Sequence, residues 1–399
     1  MSSKLFTGIL VLVLFVQLSV KGISTIPSHP PQAGQQQKEK LLVGAEQLDI
    51  LLPKLAGKRV GLVVNYTAQI GKTHLADTLL STGVNIKKIF APEHGFRGNA
   101  ANGEDVKDGI DTKTKLPIIS IYGKSKKPSA EQLADLDVLI FDIQDVGARF
   151  YTYISSMHYV MEACAEQNKK LIILDRPNPN PYVDGPVLQP EFKSFVGMHP
   201  IPIVHGMTIG ELAKMINGEG WLEGGKHCDL EIITLKNWTH EDDYSLPIQP
   251  SPNLPNDQSI RLYPSVCLFE GTVISLGRGT TKPFQVLGHP ELKGMPYQFT
   301  PVTIPGVALN PPNENKLCYG IDLSAVKTER KLNLKYLLDF YKAFPDKEKF
   351  FINYFNTLAG NATLKQQIRD NWSEEQIRES WKTDLENYNL MRKKYLLYP

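Results

Sequence analysis

Cysteine is scarce in this 399-residue chain: four residues, at positions 164, 228, 267 and 318. No two form a C-x-x-C pair, so the sequence signature of a zinc site or a dithiol redox centre is missing. Each cysteine stands in an apolar context, and a chain this long needs no covalent staples. They read as core thiols, with one incidental bridge allowed. Charge of one sign is also missing. The net charge is +2, so neither a nucleic-acid-binding surface nor an acidic disordered tail is indicated. The histidines show no metal-ligand spacing, and no metal or cofactor is expected. There is no G-x-S-x-G nucleophile elbow. The P-loop and the G-x-G-x-x-G dinucleotide fingerprint are absent, and no repeat of solenoid period is visible.

Long apolar runs are absent with one exception. Lys4 precedes "LFTGILVLVLFVQLSV", which Gln17, Ser19 and Lys21 interrupt near the length of about 20 residues that a membrane span needs. The pattern is that of an export signal over residues 1–24. The Pro/Gln-rich stretch 25–40 reads as a flexible leader. The mature chain is expected in the periplasm or outside the cell, with no stable membrane insertion.

What is there is strand–helix alternation from residue 41 to about 250. "RVGLVVN", "IKKIFAPE", "LPIISIYG", "DVLIFDIQD" and "KLIILD" are short apolar runs ending in polar residues, and helical stretches separate them. This alternation predicts an α/β fold, a Rossmann-like, mostly parallel sheet with helices on both faces. "LPIQPSPNLPN" holds four prolines in eleven residues and cannot be helix or central strand. It is taken as the crossing into a smaller α+β domain, residues 251–399, that completes a cleft. Strands are expected there in "VCLFEGTVISLG", "FTPVTIPGVAL" and "KLCYGIDLS", with "SEEQIRESWKTDLENYNLMRKKYLL" as an amphipathic C-terminal helix.

Ligands of parallel sheets sit outside the carboxyl ends of the strands. That rule selects three motifs, and the smaller domain supplies a fourth. "APEHGFRG" displays Glu93 and His94 among apolar neighbours, where burial favours a general acid; a solvated turn or a salt bridge to Arg97 is the plainer alternative. "FDIQDVGARFYTY" crowds Asp142, Gln144, Asp145, Arg149 and Tyr151 at a strand-to-helix turn, a mixture that suits a sugar; Asp145 capping a helix and pairing with Arg149 is the alternative. "DRPNPNPYVDGPVL" adds Arg176 and Asn178, and Asp175 and Arg176 can equally pair with each other. "LFEGTVISLGRGT" adds Glu270 and Arg278. Tyr122 ends the third strand. His158, on an apolar helical stretch, reads as packed.

These four motifs, in this order, resemble the exo-β-N-acetylmuramidase (NamZ-type) glycosidases, across residues 41–399. The resemblance implies a Rossmann-like domain with a smaller C-terminal domain and an active site in the cleft between them. It implies release of N-acetylmuramic acid from the non-reducing end of peptidoglycan fragments. Under it, Glu93 is expected as general acid, with Asp142 or Glu270 as second carboxylate. His94, Arg97, Tyr122, Gln144, Asp145, Arg149, Tyr151, Arg176, Asn178 and Arg278 are expected to line the substrate. One of Arg149, Arg176 and Arg278 would take the lactyl carboxylate, since a guanidinium holds a carboxylate bidentately. Carboxyl separation would set the outcome, about 5–5.5 Å for retention and about 6.5–9.5 Å for inversion, and participation by the 2-acetamido group is a third route. The competing reading is a periplasmic sugar-binding protein, whose cleft would need the same polar loops but no acid.

Overall fold

The structure is a computed structural model and describes residues 39–97 and 107–399. The export signal and nearly all of the leader lie outside the described residues, as does Gly98 of the first motif. Residues Lys40–Pro399 form one compact unit.

Its frame is a seven-stranded sheet: β1 (Val60–Val64), β2 (Ile86–Ala91), β3 (Gly109–Ile110), β4 (Pro117–Ser120), β5 (Val138–Asp142), β6 (Lys170–Leu174) and β7 (Asp229–Ile233). The order is β7-β6-β5-β1-β2-β4-β3. All neighbours are parallel except β3 and β4. β1 and β5 are buried along their whole length, which is why both read as unbroken apolar runs rather than alternating ones. The chain leaves β1 toward β2 on one side and returns to β5 on the other. That reversal is a topological switch point, where such sheets bind ligands. One apolar cluster fills each face of the sheet.

Local signals set the helix starts. Ser129, Thr208 and Ser373 each close a capping box with the Gln or Glu three residues on. The helix Leu75–Ser81 is capped by the His74 imidazole, which accepts from Ala76 N.

After the proline-rich crossing, Asn256 caps the helix Asp257–Val266. Beyond it lie a three-stranded antiparallel sheet (Val286–His289, Cys318–Asp322 and Tyr297–Phe299) and five short helices followed by a longer one. Three expectations change here. "VCLFEGTVISLG" is not a strand: the capped helix runs into it and tightens to a 3₁₀ turn, Cys267–Gly271, so Glu270 sits on a helical turn. Of "FTPVTIPGVAL" only the first residue is in a strand, apart from a single bridge between Ile304 and Ala308. The C-terminal helix is broken at Trp381 into Glu374–Ser380 and Lys382–Arg392. The second piece packs on the hairpin strand Val183–Val187. The chain then returns to the parallel sheet, where the Tyr398 hydroxyl donates to Asp175 Oδ2 at 2.5 Å and accepts from Leu235 N.

Candidate active site

Glu93 stands just beyond the carboxyl end of β2. Pro92 ends the strand ladder, and Gly95 N closes a tight turn onto Pro92 O. His94 (φ 68°) and Gly95 (φ 73°) are both left-handed. A non-glycine residue in that region is uncommon, and such residues cluster at functional sites. The turn lifts the Glu93 side chain off the strand axis into a nearly enclosed position, 8% exposed. Both carboxylate oxygens receive hydroxyls: Tyr122 donates to Oε1 at 2.9 Å and Thr152 to Oε2 at 2.8 Å. Tyr153 O–H points at the Glu93 carbonyl, 3.4 Å away. Thr152 is the N-cap of the helix Tyr153–Glu166, yet its side chain makes no cap bond. An N-cap threonine ordinarily spends its oxygen on the helix; this one spends its hydroxyl on Glu93.

The carboxylate faces a small cleft of about 170 Å³. Glu93, His94, Tyr122 and Thr152 line one side; Glu270, Arg278 and Tyr354 come from the C-terminal part. Arg278 donates to Glu270 Oε1 through Nε (2.8 Å) and Nη2 (2.6 Å). Glu270 Oε2 accepts the long Cys267 Sγ contact at 3.8 Å. The cleft therefore holds two carboxylates: the Tyr122 and Thr152 hydroxyls reach one and the Arg278 guanidinium reaches the other. Tyr354, which feels both charges, is pushed well above the usual phenol range, first by burial and then by Cys267, Glu270 and Glu93. Among the described residues no cluster of three His, Cys, Asp or Glu side chains is placed to hold a metal ion.

A family model for the N-terminal part of the exo-β-N-acetylmuramidase NamZ matches residues 60–258, and one for its C-terminal part matches residues 261–398. The chain belongs to the NamZ exo-β-N-acetylmuramidase family. The peptidoglycan β-N-acetylmuramidase NamZ of Bacillus subtilis (strain 168) is 39% identical over 410 residues, covering 96% of this chain and 97% of that protein. Two crystal structures of DUF1343 family proteins from Bacteroides fragilis are similar. One has a TM-score of 0.85 at 50% identity and the other 0.77 at 30%; each comparison covers 90% of this chain and 99% of the other. The two NamZ models meet inside the helix Asp257–Val266, the element that carries the chain into Glu270.

Of the residues expected to surround the substrate, Glu93, His94, Tyr122, Tyr151, Glu270 and Arg278 line the NamZ-family cleft. The others are not among its lining residues, and each has another employment. Asp142 is fully buried at the end of β5, and Arg176 grips both its oxygens, Nε to Oδ1 at 2.5 Å and Nη2 to Oδ2 at 2.9 Å. Arg97 pairs with Asp111 at 2.8 Å and lies near Asp77, which fastens the far end of the Glu93 turn. Gln144 donates to the Asp145 and Pro177 carbonyls. Asp145 accepts from Gly147 N at 2.7 Å; it neither caps a helix nor meets Arg149, because the helix begins eight residues later than Asp145, at Tyr153. Asn178 donates to Met207 O and fills the space beside Gly147 (φ 76°), where any Cβ would collide with its amide. Arg149 is fully buried. Nη1 donates to Pro186 O and Ile201 O, both at 2.8 Å, and Nη2 to Leu358 O (3.0 Å) and Ala359 O (2.7 Å). It is a clamp that ties the short helix Phe355–Ala359, which carries cleft residue Leu358, to the hairpin strands.

Thr152, Phe195, Tyr263 and Tyr354 line the cleft without having been singled out from sequence. Thr152 carried a signal, since it directly precedes a helical periodicity, but the signal named a cap. Phe195 and Tyr354 sit in irregular segments where no period marks a facing side.

Proposed function

We propose that this NamZ-family chain is an exo-acting glycoside hydrolase that releases N-acetylmuramic acid from the non-reducing end of peptidoglycan fragments, with Glu93 as general acid and Glu270 as the second carboxylate. One observation carries the assignment of roles. Two carboxylates line one cleft at the sheet's carboxyl edge, in a chain similar along its length to a peptidoglycan β-N-acetylmuramidase. Glu93 gives its proton to the glycosidic oxygen, the bond from that oxygen to the anomeric carbon breaks, and the leaving saccharide departs as an alcohol. Positive charge builds on the sugar ring as that bond breaks, and the carboxylate of Glu270 stabilises it while water supplies the new anomeric hydroxyl and returns its other proton to the Glu93 carboxylate. Tyr122 and Thr152 suit this role for Glu93, because a hydroxyl donates to a carboxylate and turns to accept from a carboxylic acid. Asp142 is the poorer partner, since Arg176 occupies both of its oxygens. The apolar N-terminal run supports a site of action outside the cytoplasmic membrane, periplasmic or extracellular, where such fragments arise. No helix among the described residues is long and apolar enough to cross a membrane.

The test is hydrolysis of a disaccharide with N-acetylmuramic acid at its non-reducing end, followed by mass spectrometry. The chain should release the monosaccharide. The variant Glu93→Gln should be slower by about 10²–10⁴ while still binding the sugar. Binding without release by the unaltered chain would make it a sugar-binding protein instead.

A further inference from the structure

We propose that Arg278 is the specificity determinant of the cleft, its guanidinium receiving a carboxylate carried by a substituent of the sugar. The lactyl ether of N-acetylmuramic acid bears such a group and N-acetylglucosamine lacks it. The inference rests on the muramidase reading above and names the residue that reads the substrate.

Three observations converge. First, Arg278 is the only lysine or arginine among the described residues that line the cleft. An anionic sugar entering beside Glu270 meets a carboxylate and needs a cation to offset it. Arg149 and Arg176, the other guanidinium groups considered for this job, are spent on carbonyls and on Asp142. Second, the guanidinium is half used. Nε and Nη2 both go to one oxygen of Glu270, while Nη1 is buried with no hydrogen-bond partner. A buried donor left unmade is costly, and a ligand acceptor is one explanation for keeping it. Third, the backbone is bent to hold this side chain. Gly277 (φ 84°) and Gly279 (φ 77°) flank it in the left-handed region, and a Cβ on either would collide with a carbonyl, Lys282 O or Val302 O. Phe284, over whose ring the guanidinium lies at 4.8 Å, is itself at φ 58°. A bulky residue in that conformation is an outlier, and strain of this kind collects at ligand sites.

The experiment is calorimetric titration of N-acetylmuramic acid, its lactyl methyl ester and N-acetylglucosamine into the unaltered chain, Arg278→Lys and Arg278→Met. The unaltered chain should prefer the free acid over the ester by about tenfold or more, and Arg278→Met should erase that preference while Arg278→Lys keeps part of it. Equal affinity of the unaltered chain for acid and ester overturns the proposal without any variant. So does an Arg278→Met variant that weakens all three sugars by one factor, because Arg278 would then act only by holding Glu270. Turnover of the disaccharide separates the two readings. A preference for the acid without turnover sinks the hydrolase and keeps the anchor; turnover without the preference does the reverse. Failure of the unaltered chain to bind any of the sugars overturns both.

Discussion

Replacing Arg149 with methionine keeps the apolar stem of the side chain and removes the guanidinium head with its four hydrogen bonds to buried carbonyls at 186, 201, 358 and 359. Burial lowers the guanidinium pKa to about 9, so it remains a cation at neutral pH. No carboxylate is among its hydrogen-bond partners, so the substitution strands no partner charge and recovers the cost of burying one. Against that, each buried carbonyl losing its donor costs on the order of 1–3 kcal/mol. Ile201 O keeps a second donor, Leu188 N. The net expectation is a loss of about 3–5 kcal/mol, a large part of the stability of an ordinary domain. Urea unfolding followed by tryptophan fluorescence, with fixed slope, reads this directly. The variant should also weaken sugar binding, because the clamp holds the segment that carries Leu358 into the cleft. Arg149→Lys, with a single cationic head, should fall between the two. A loss below about 1 kcal/mol for the methionine variant would refute the reasoning, since the four bonds would then count for little more than one ordinary hydrogen bond.

Thr152→Val removes the hydroxyl that reaches Glu93 Oε2 and spares the helix, which takes no cap bond from it. Turnover of the disaccharide should drop by about 10–100-fold with stability nearly unchanged, in line with about 1.5–3 kcal/mol for a hydrogen bond to a charged group; Thr152→Ser should recover most of it, and equal rates for valine and serine would contradict the assignment. Asp175 is fully buried, and burial raises its pKa to about 6 despite the hydroxyls of Tyr398 and Thr208. Its folded pKa lies above the unfolded value of about 4, so the folded state holds the proton more tightly and stability falls as pH rises from about 4 to about 6, then levels off. The full effect is about 3 kcal/mol, and Asp175→Asn should abolish it. Urea midpoints at pH 4.5, 5.5, 6.5 and 7.5 that run parallel for the two proteins would exclude it. Tyr398→Phe, two bonds lost where the tail returns to the sheet, should cost about 1–3 kcal/mol; an unchanged urea midpoint would show that the tail latch is idle.

The sheet was legible because both faces are covered, so each buried strand shows as a short apolar run, and because serine and threonine three residues before Glu or Gln mark helix starts with a local bond. The position of Glu93 was legible for the same reason: it follows a strand end, and strand ends share one edge. What escaped depends on contacts remote in sequence. Nothing in "GARF" distinguishes an arginine aimed at a ligand from one aimed at carbonyls 209 and 210 residues away. Asp142 and Arg176, each at a strand end, were both read as facing the substrate, and they neutralise each other because β5 and β6 are neighbours. Glu270 was placed on a strand because "VCLFEGTVISLG" is apolar and β-branched. The Asn256 cap starts a helix upstream that carries through Pro264 and into the stretch, overriding propensity. Trp381 breaks the last helix because its ring is buried and the chain turns to follow it.

A crystal structure of the Glu93→Gln variant with the intact disaccharide tests the central claim most directly. The account predicts the side chain at position 93 within about 3 Å of the glycosidic oxygen, Glu270 facing the anomeric carbon, and the lactyl carboxylate on Arg278. A disaccharide bound with its glycosidic oxygen away from position 93, beside some other acid, would contradict it.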